Sequence, residues 1–272
     1  MKNLFIVNCL LAVSVFAISC KKDNQAPAPT VVKEIMVNLA ASNENPQPAG
    51  RNETGMATIK VFSNNSITVD VTLTGLAATD NITAGHFHVG DPVTNGGVVV
   101  DLMPTITGST LKATLNNVRS TFIDTLVTGT ADIYLNFHST QAPSGIVRGQ
   151  VFNQVTFASG VSLSGSNEVP AVTTTATGTA LLRITSNGKL YSRVTVTNVE
   201  SGDALTAAHI HAGAAGVNGA VILELCASAA DFGVSKMFMP SAAILTSIRT
   251  DALYVNVHST NRPSGIVRGQ IR

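Results

Sequence analysis

The chain repeats itself, and the repeat constrains its fold more than any single motif. HFHVGDPVTNGGVVVDL at 86–102 returns as HIHAGAAGVNGAVILEL at 209–225, an offset of 123 positions. YLNFHSTQAPSGIVRGQV at 134–151 returns as YVNVHSTNRPSGIVRGQI at 254–271, an offset of 120. Upstream, SNENP at 42–46 matches SNEVP at 166–170, and Gly55 matches Gly178. Blocks recurring in one order at nearly constant offset mark a duplication, so one fold must be built twice. In a chain of 272 residues this gives two domains, 35–153 and 157–272, each long enough to bury a core of its own.

Period-two alternation identifies the elements. Ile67, Val69, Val71 and Leu73 alternate with Thr68, Asp70 and Thr72, which puts one face of a strand in a core and leaves the other wet. Leu190, Ser192, Val194 and Val196 do the same in the second copy. The runs VVVDL and VILEL are short and β-branched and follow Asn-Gly turns, which predicts more fully buried strands. Only Ser120–Val127 and Ser241–Arg249 read as short helices, each just before the Tyr-x-Asn-x-His block. Charged residues are 12% of the chain, about half of ordinary usage, so Thr, Ser, Asn and Gly carry much of the polar surface. The expected fold class is all-β: two tandem antiparallel β-sandwiches, immunoglobulin-like or superoxide-dismutase-like, each with one short helix.

The N-terminus carries an address. Residues 1–20, MKNLFIVNCLLAVSVFAISC, have a Lys near the start and an apolar run from Leu4 to Ile18 too short for a comfortable membrane span, which predicts export and processing. The ending Ala17-Ile18-Ser19-Cys20 resembles a bacterial lipobox, which implies lipidation of Cys20 and anchoring to the outer membrane, periplasmic or surface-exposed. Residues 21–34, polar and Pro-punctuated at first, are expected to tether the domains. With Cys9 and Cys20 spent there, Cys226 is left without a disulfide partner and is expected to be a small buried residue. The membrane is thus one expected partner, reached through lipid. A net charge of +1 and the absence of Trp exclude the basic, aromatic footprint of a nucleic-acid binder.

The second and third blocks together resemble the CHRD domain, a family named from the repeated domain of chordin and found in bacterial secreted proteins. The residues that carry the resemblance are His-x-His-x-Gly with its Asn-Gly and apolar strand, then Tyr-x-Asn-x-His-Ser-Thr, Pro, and Arg-Gly-Gln. One departure is that the family commonly has an acidic residue before Ile-Arg-Gly-Gln, where this chain has Ile146-Val147-Arg148 and Ile266-Val267-Arg268. Chordin's growth-factor antagonism does not carry over, because its cysteine-rich modules are absent.

All six histidines fall in the repeated blocks: His86, His88 and His138, then His209, His211 and His258. Residues i and i+2 of a strand share a face, so a neighbouring Tyr-x-Asn-x-His strand would bring three imidazoles together in each copy. Imidazole is a common ligand for copper and zinc, and three with an open position would hold a metal and a small ligand. The rival reading is a hydrogen-bonded network joining Asn136 or Asn256 to loop carbonyls without metal. A His-x-His pair on a β-sandwich is similar to the copper and zinc superoxide dismutases, but the fuller histidine set and the disulfide of those enzymes are missing, so dismutase activity is not expected.

Among the other recurring residues, an Arg–carboxylate pair of Arg148 with Glu44, and of Arg268 with Glu168, is expected to tie the first strand to the last. Gly149 and Gly269 are expected to permit a close backbone approach or a bulge. Asp101 and Glu224 are open to two readings, an oxygen ligand or a solvated strand end. Ser139 and Ser259 follow a His directly and therefore point to the other face, so no catalytic residue is assigned. The sequence describes an envelope lipoprotein acting as a binding or structural module. Its rivals are a metal-dependent redox enzyme or copper/zinc carrier, and an adhesion or matrix protein that meets an envelope protein or glycan.

Overall fold

The computed structural model describes residues 27–272, so the signal segment, the proposed lipidation at Cys20 and tether residues 21–26 lie outside the described residues. Domain 1 contains β1 (Val31–Ala40), β2 (Thr54–Phe62), β3 (Ile67–Thr74), β4 (Ile82–Val89), β5 (Val98–Asp101), β6 (Thr105–Thr107), β7 (Thr110–Leu115), α1 (Ser120–Thr128), β8 (Ile133–Ser139) and β9 (Val147–Gln150). Domain 2 repeats the plan with β10 (Val155–Ser164), β11 (Thr177–Thr185), β12 (Leu190–Thr197), β13 (Leu205–Ala212), β14 (Val221–Cys226), β15 (Lys236–Phe238), α2 (Ala242–Thr250), β16 (Leu253–Ser259) and β17 (Val267–Gln270). The fold is all-β with two tandem domains and one short helix in each.

The strand order in domain 1 is β5-β4-β8-β9-β1-β2-β3-β7-β6, and in domain 2 it is β14-β13-β16-β17-β10-β11-β12-β15. Each sheet is antiparallel and narrows at one place: β1 meets β9 only at Ala40–Arg148, and β10 meets β17 only at Ser164–Arg268. The sheet turns there, and its two halves close over a single core. Val37, Ile59 and Val69 from one half share that core with Phe87, Leu135 and Phe137 from the other, and α1 adds Phe122 and Leu126. Alternation is observed where expected: Ile67, Val69, Val71 and Leu73 are buried while Thr72 and Thr74 face water.

Two expectations are corrected. VVVDL and VILEL are not the more deeply buried strands: β5 and β14 end their sheets, and Val98 and Val221 are about half exposed, at 53% and 52%. β-Branched runs favour strand geometry at an edge as in a centre, so composition alone does not rank strands by depth. The tether is also shorter than 21–34, because β1 begins at Val31 and pairs Lys33 with Val61.

The domains touch through a buried arginine. Arg183 of β11 donates from Nη2 to the Glu44 carbonyl at 3.1 Å and from Nη1 to the Ser159 carbonyl at 2.8 Å. By register with Gly55 and Gly178, its counterpart in domain 1 is Lys60, which instead lies 3.8 Å from Glu34 at the surface.

Candidate metal centre

β4 places His86 and His88 on one face, and β8, its neighbour, adds His138; β13 and β16 do the same with His209, His211 and His258. Ring centroids of His86 lie 5.6 Å from His88 and 5.0 Å from His138, and those of His209 lie 5.7 Å from His211 and 4.9 Å from His258. Within each triplet, one nitrogen per ring stands within 4.8 Å of the other two. Bonds of about 2.0–2.1 Å to a common ion bring nitrogens to roughly 3.4 Å, so the rings need close by only about an ångström.

The hydrogen bonds decide which nitrogens are offered. His88 Nδ1 meets the Gly96 carbonyl at 2.9 Å and His138 Nδ1 meets the Pro143 carbonyl at 3.0 Å. His211 and His258 repeat this with the carbonyls of Gly219 at 2.9 Å and Pro263 at 3.0 Å. A carbonyl only accepts, so Nδ1 carries the proton in all four rings and Nε2 keeps its lone pair. Those four Nε2 atoms, with Nδ1 of His86 and of His209, are buried and lack a partner among the described residues. Burial, above all, lowers the tendency of His88, His138, His209 and His258 to take a proton, with neighbouring imidazoles adding to it. Those four rings thereby favour the neutral form that ligates.

The carboxylates of Asp101 and Glu224 do not enter the triplets. They lie 4.0 Å from Nε2 of His86 and His209, on the far side of each ring, so the oxygen-ligand reading is replaced by a place behind the histidine. Asn136 and Asn256 do not join the imidazoles either. Asn136 donates to Glu44 at 2.6 Å, and Asn256 to both oxygens of Glu168 at 2.9 and 2.8 Å.

The expected arginine–carboxylate fork is also corrected. Arg148 donates to Asn95 Oδ1 at 3.1 Å and to the carbonyls of Asp91 and Thr94 at 2.6 and 3.0 Å, while its guanidinium lies 3.5 Å over the Tyr134 ring. Arg268 does the same with Asn218, Ala214 and Val217, 3.3 Å over Tyr254. Loop carbonyls captured the fork because they converge on it from one turn. The stack continues into the site, for Tyr134 lies 4.8 Å from His88 and nearly parallel to it, and its hydroxyl accepts from the Gly96 N–H at 3.1 Å. Sequence reasoning left Tyr134, Tyr254 and the two proline carbonyls without a role, though their recurrence in both copies marked them.

Ser139 and Thr140 serve a clamp. Their hydroxyls donate to Asp80 at 2.8 Å each, and the Gln141 N–H at 3.0 Å. Burial alone would raise the Asp80 carboxyl, but these bonds and Arg51 outweigh it and bring it down to about 2. Asp203 repeats the clamp on Ser259, Thr260 and Asn261. Cys226 is buried and free, and burial, foremost, pushes its thiol up to about 12.

Glu44 is the opposite case. Burial raises its carboxyl from 4.5 to about 8, with Arg148, Asn136 and Arg183 pulling the other way, and Glu168 is raised to about 7. Unfolding releases these protons between the unfolded and folded values, so this contribution to stability is complete below about 4.5 and is lost as pH rises towards 8. Denaturant melts from pH 5 to 8 are expected to show the fall, and Glu44→Gln with Glu168→Gln to flatten it. An unchanged slope in the double variant would refute this assignment.

No curated relative and no solved structure matches the chain. The family model of the CHRD domain matches it twice, over residues 35–151 and 160–271, in agreement with the duplicated sheets and their duplicated histidine triplets. The chain therefore belongs to the CHRD domain family, as two tandem copies.

Proposed function

We propose that each domain binds one transition-metal ion, copper or zinc, and that the protein is an outer-envelope lipoprotein acting as a metal-binding module. The observation that carries this is the pair of triplets in which three half-buried imidazoles face one another, each with one buried nitrogen that has no partner among the described residues. Buried polar atoms are ordinarily partnered, and two copies of one set of exceptions call for a common explanation. An all-nitrogen set suits both copper and zinc, and three ligands leave a position for water or a small molecule. Anchoring through Cys20 is supported by the lipobox-like Ala17-Ile18-Ser19-Cys20.

Calorimetric titration of the metal-free protein with Cu(II) or Zn(II) is expected to give two sites per chain. His86→Ala with His88→Ala should leave one site, as should His209→Ala with His211→Ala, each lost site weakening by at least about 100-fold. Elemental analysis of protein purified from its native envelope without chelator identifies the ion. No saturable uptake, or uptake indifferent to these substitutions, overturns the proposal. Turnover of superoxide or peroxide by the loaded protein would instead support the redox-enzyme reading.

A further inference from the structure

The two domains differ at one place where the repeat is otherwise close. In domain 1 the turn after β4 reads Gly90-Asp91-Pro92-Val93, and Val93 is fully buried, with its carbonyl accepting from Asn45 Nδ2 at 2.9 Å. In domain 2 the same turn reads Gly213-Ala214-Ala215-Gly216, and Ala215 and Gly216 are exposed. Where the Pro-Val bulk is missing, a cavity of about 290 Å³ opens, walled by Ser166, Asn167, Glu168, Arg268 and Gln270.

Its floor is polar and buried, and its rim, with Ser166, Asn167, Ala215 and Gly216, is open to solvent. Glu168 is 7% exposed and Arg268 1%. Asn167 spends its Nδ2 on the Arg268 carbonyl at 3.0 Å, and Gln270 spends its Nε2 on the Gly213 carbonyl at 2.8 Å. Each amide thereby keeps its oxygen for another donor. In domain 1 the matching oxygen of Gln150 accepts from Arg148 Nη2 at 3.3 Å, a bond Arg268 does not repeat. Both Nη atoms of Arg268 are committed to Asn218, Ala214 and Val217, so the guanidinium is no anion clamp, while its charge opposes a cation. The carboxyl of Glu168 opposes an anion in turn.

We propose that this cavity of domain 2 binds a neutral hydroxyl-rich molecule of monosaccharide size. Hydroxyls supply donors to the amide oxygens of Asn167 and Gln270 and a further donor to Glu168, whose oxygens accept from Asn256 alone among the described residues, and the volume sits at the small end of ligand pockets. The site shares no residue with the histidine triplets, so its fate and that of the metal reading are independent.

The test is titration of the full chain with a panel of neutral monosaccharides, the matching oligosaccharides, glucuronate and glucosamine, followed by saturation-transfer NMR and calorimetry. Saturable binding of at least one neutral sugar is expected, at least tenfold weaker in Ala215→Leu, which fills the cavity from an exposed position, and in Glu168→Gln. Cooperative melts establish that both variants fold. Equal binding of an oligosaccharide points to a terminal glycan residue, and binding of the free sugar alone to a soluble one; both support the site. Absence of saturable binding, preference for the acid or the amine, or affinity unchanged in both variants overturns it.

Discussion

Arg148→Ala is expected to destabilise domain 1 by about 3 kcal/mol, because the loop acceptors that converge on a buried guanidinium lose their donor and its packing on Tyr134 is lost. Arg148 is 1% exposed, and its loss strands Asn95 Oδ1 and the carbonyls of Asp91 and Thr94. It also uncovers one side of the Tyr134 ring, which stacks against His88 and whose hydroxyl accepts from the Gly96 N–H. Gly96 supplies the carbonyl that sets the His88 tautomer, so metal uptake by domain 1 should weaken with stability. Arg148→Lys should not rescue either property, since an ammonium offers neither the planar fork nor the stacking surface. Urea denaturation followed for both domains measures the first effect, and titration the second. A loss below about 1 kcal/mol would mean that the loop holds its shape without the guanidinium.

Gly149→Ala is expected to cost about 3 kcal/mol, and Gly269→Ala the same in domain 2, by overpacking that the backbone cannot relieve. A Cβ on Gly149 would stand 2.3 Å from the Asn38 carbonyl oxygen and 2.7 Å from Val37 Cγ1; on Gly269 it would stand 2.2 Å from the Ser162 carbonyl oxygen. The obstacle is main chain of β1 or β10, and it lies beside the single pair of residues that joins the two halves of each sheet. Relief therefore requires the halves to part. A wild-type denaturation midpoint for either variant would show that β9 or β17 can shift sideways freely, contrary to this account.

The duplication, the all-β class, the short helices and the grouping of histidines were legible because each rests on one-dimensional order. A repeat is a comparison along the chain, and a strand declares itself in the alternation of Ile67, Val69, Val71 and Leu73. The i, i+2 rule likewise put His86 and His88 on one face before any neighbour was known. The edge position of β5 was not legible, because Val98–Val100 satisfy strand geometry equally at the rim and in the middle.

What the residues do to one another was decided only in three dimensions. Arg148 and Glu44 are complementary on paper, yet the arginine went to three loop acceptors and the glutamate to Asn136. Asp101 sits in register with His86 and still lies behind the ring, since a strand pairing fixes Cα neighbours and not which nitrogen a side chain reaches. The sequence alone determined which elements exist, how often, and which imidazoles share a face. Tertiary structure decided the hydrogen-bond partners, and hence the tautomers and free lone pairs, because those depend on carbonyls that distant turns bring within about 3 Å.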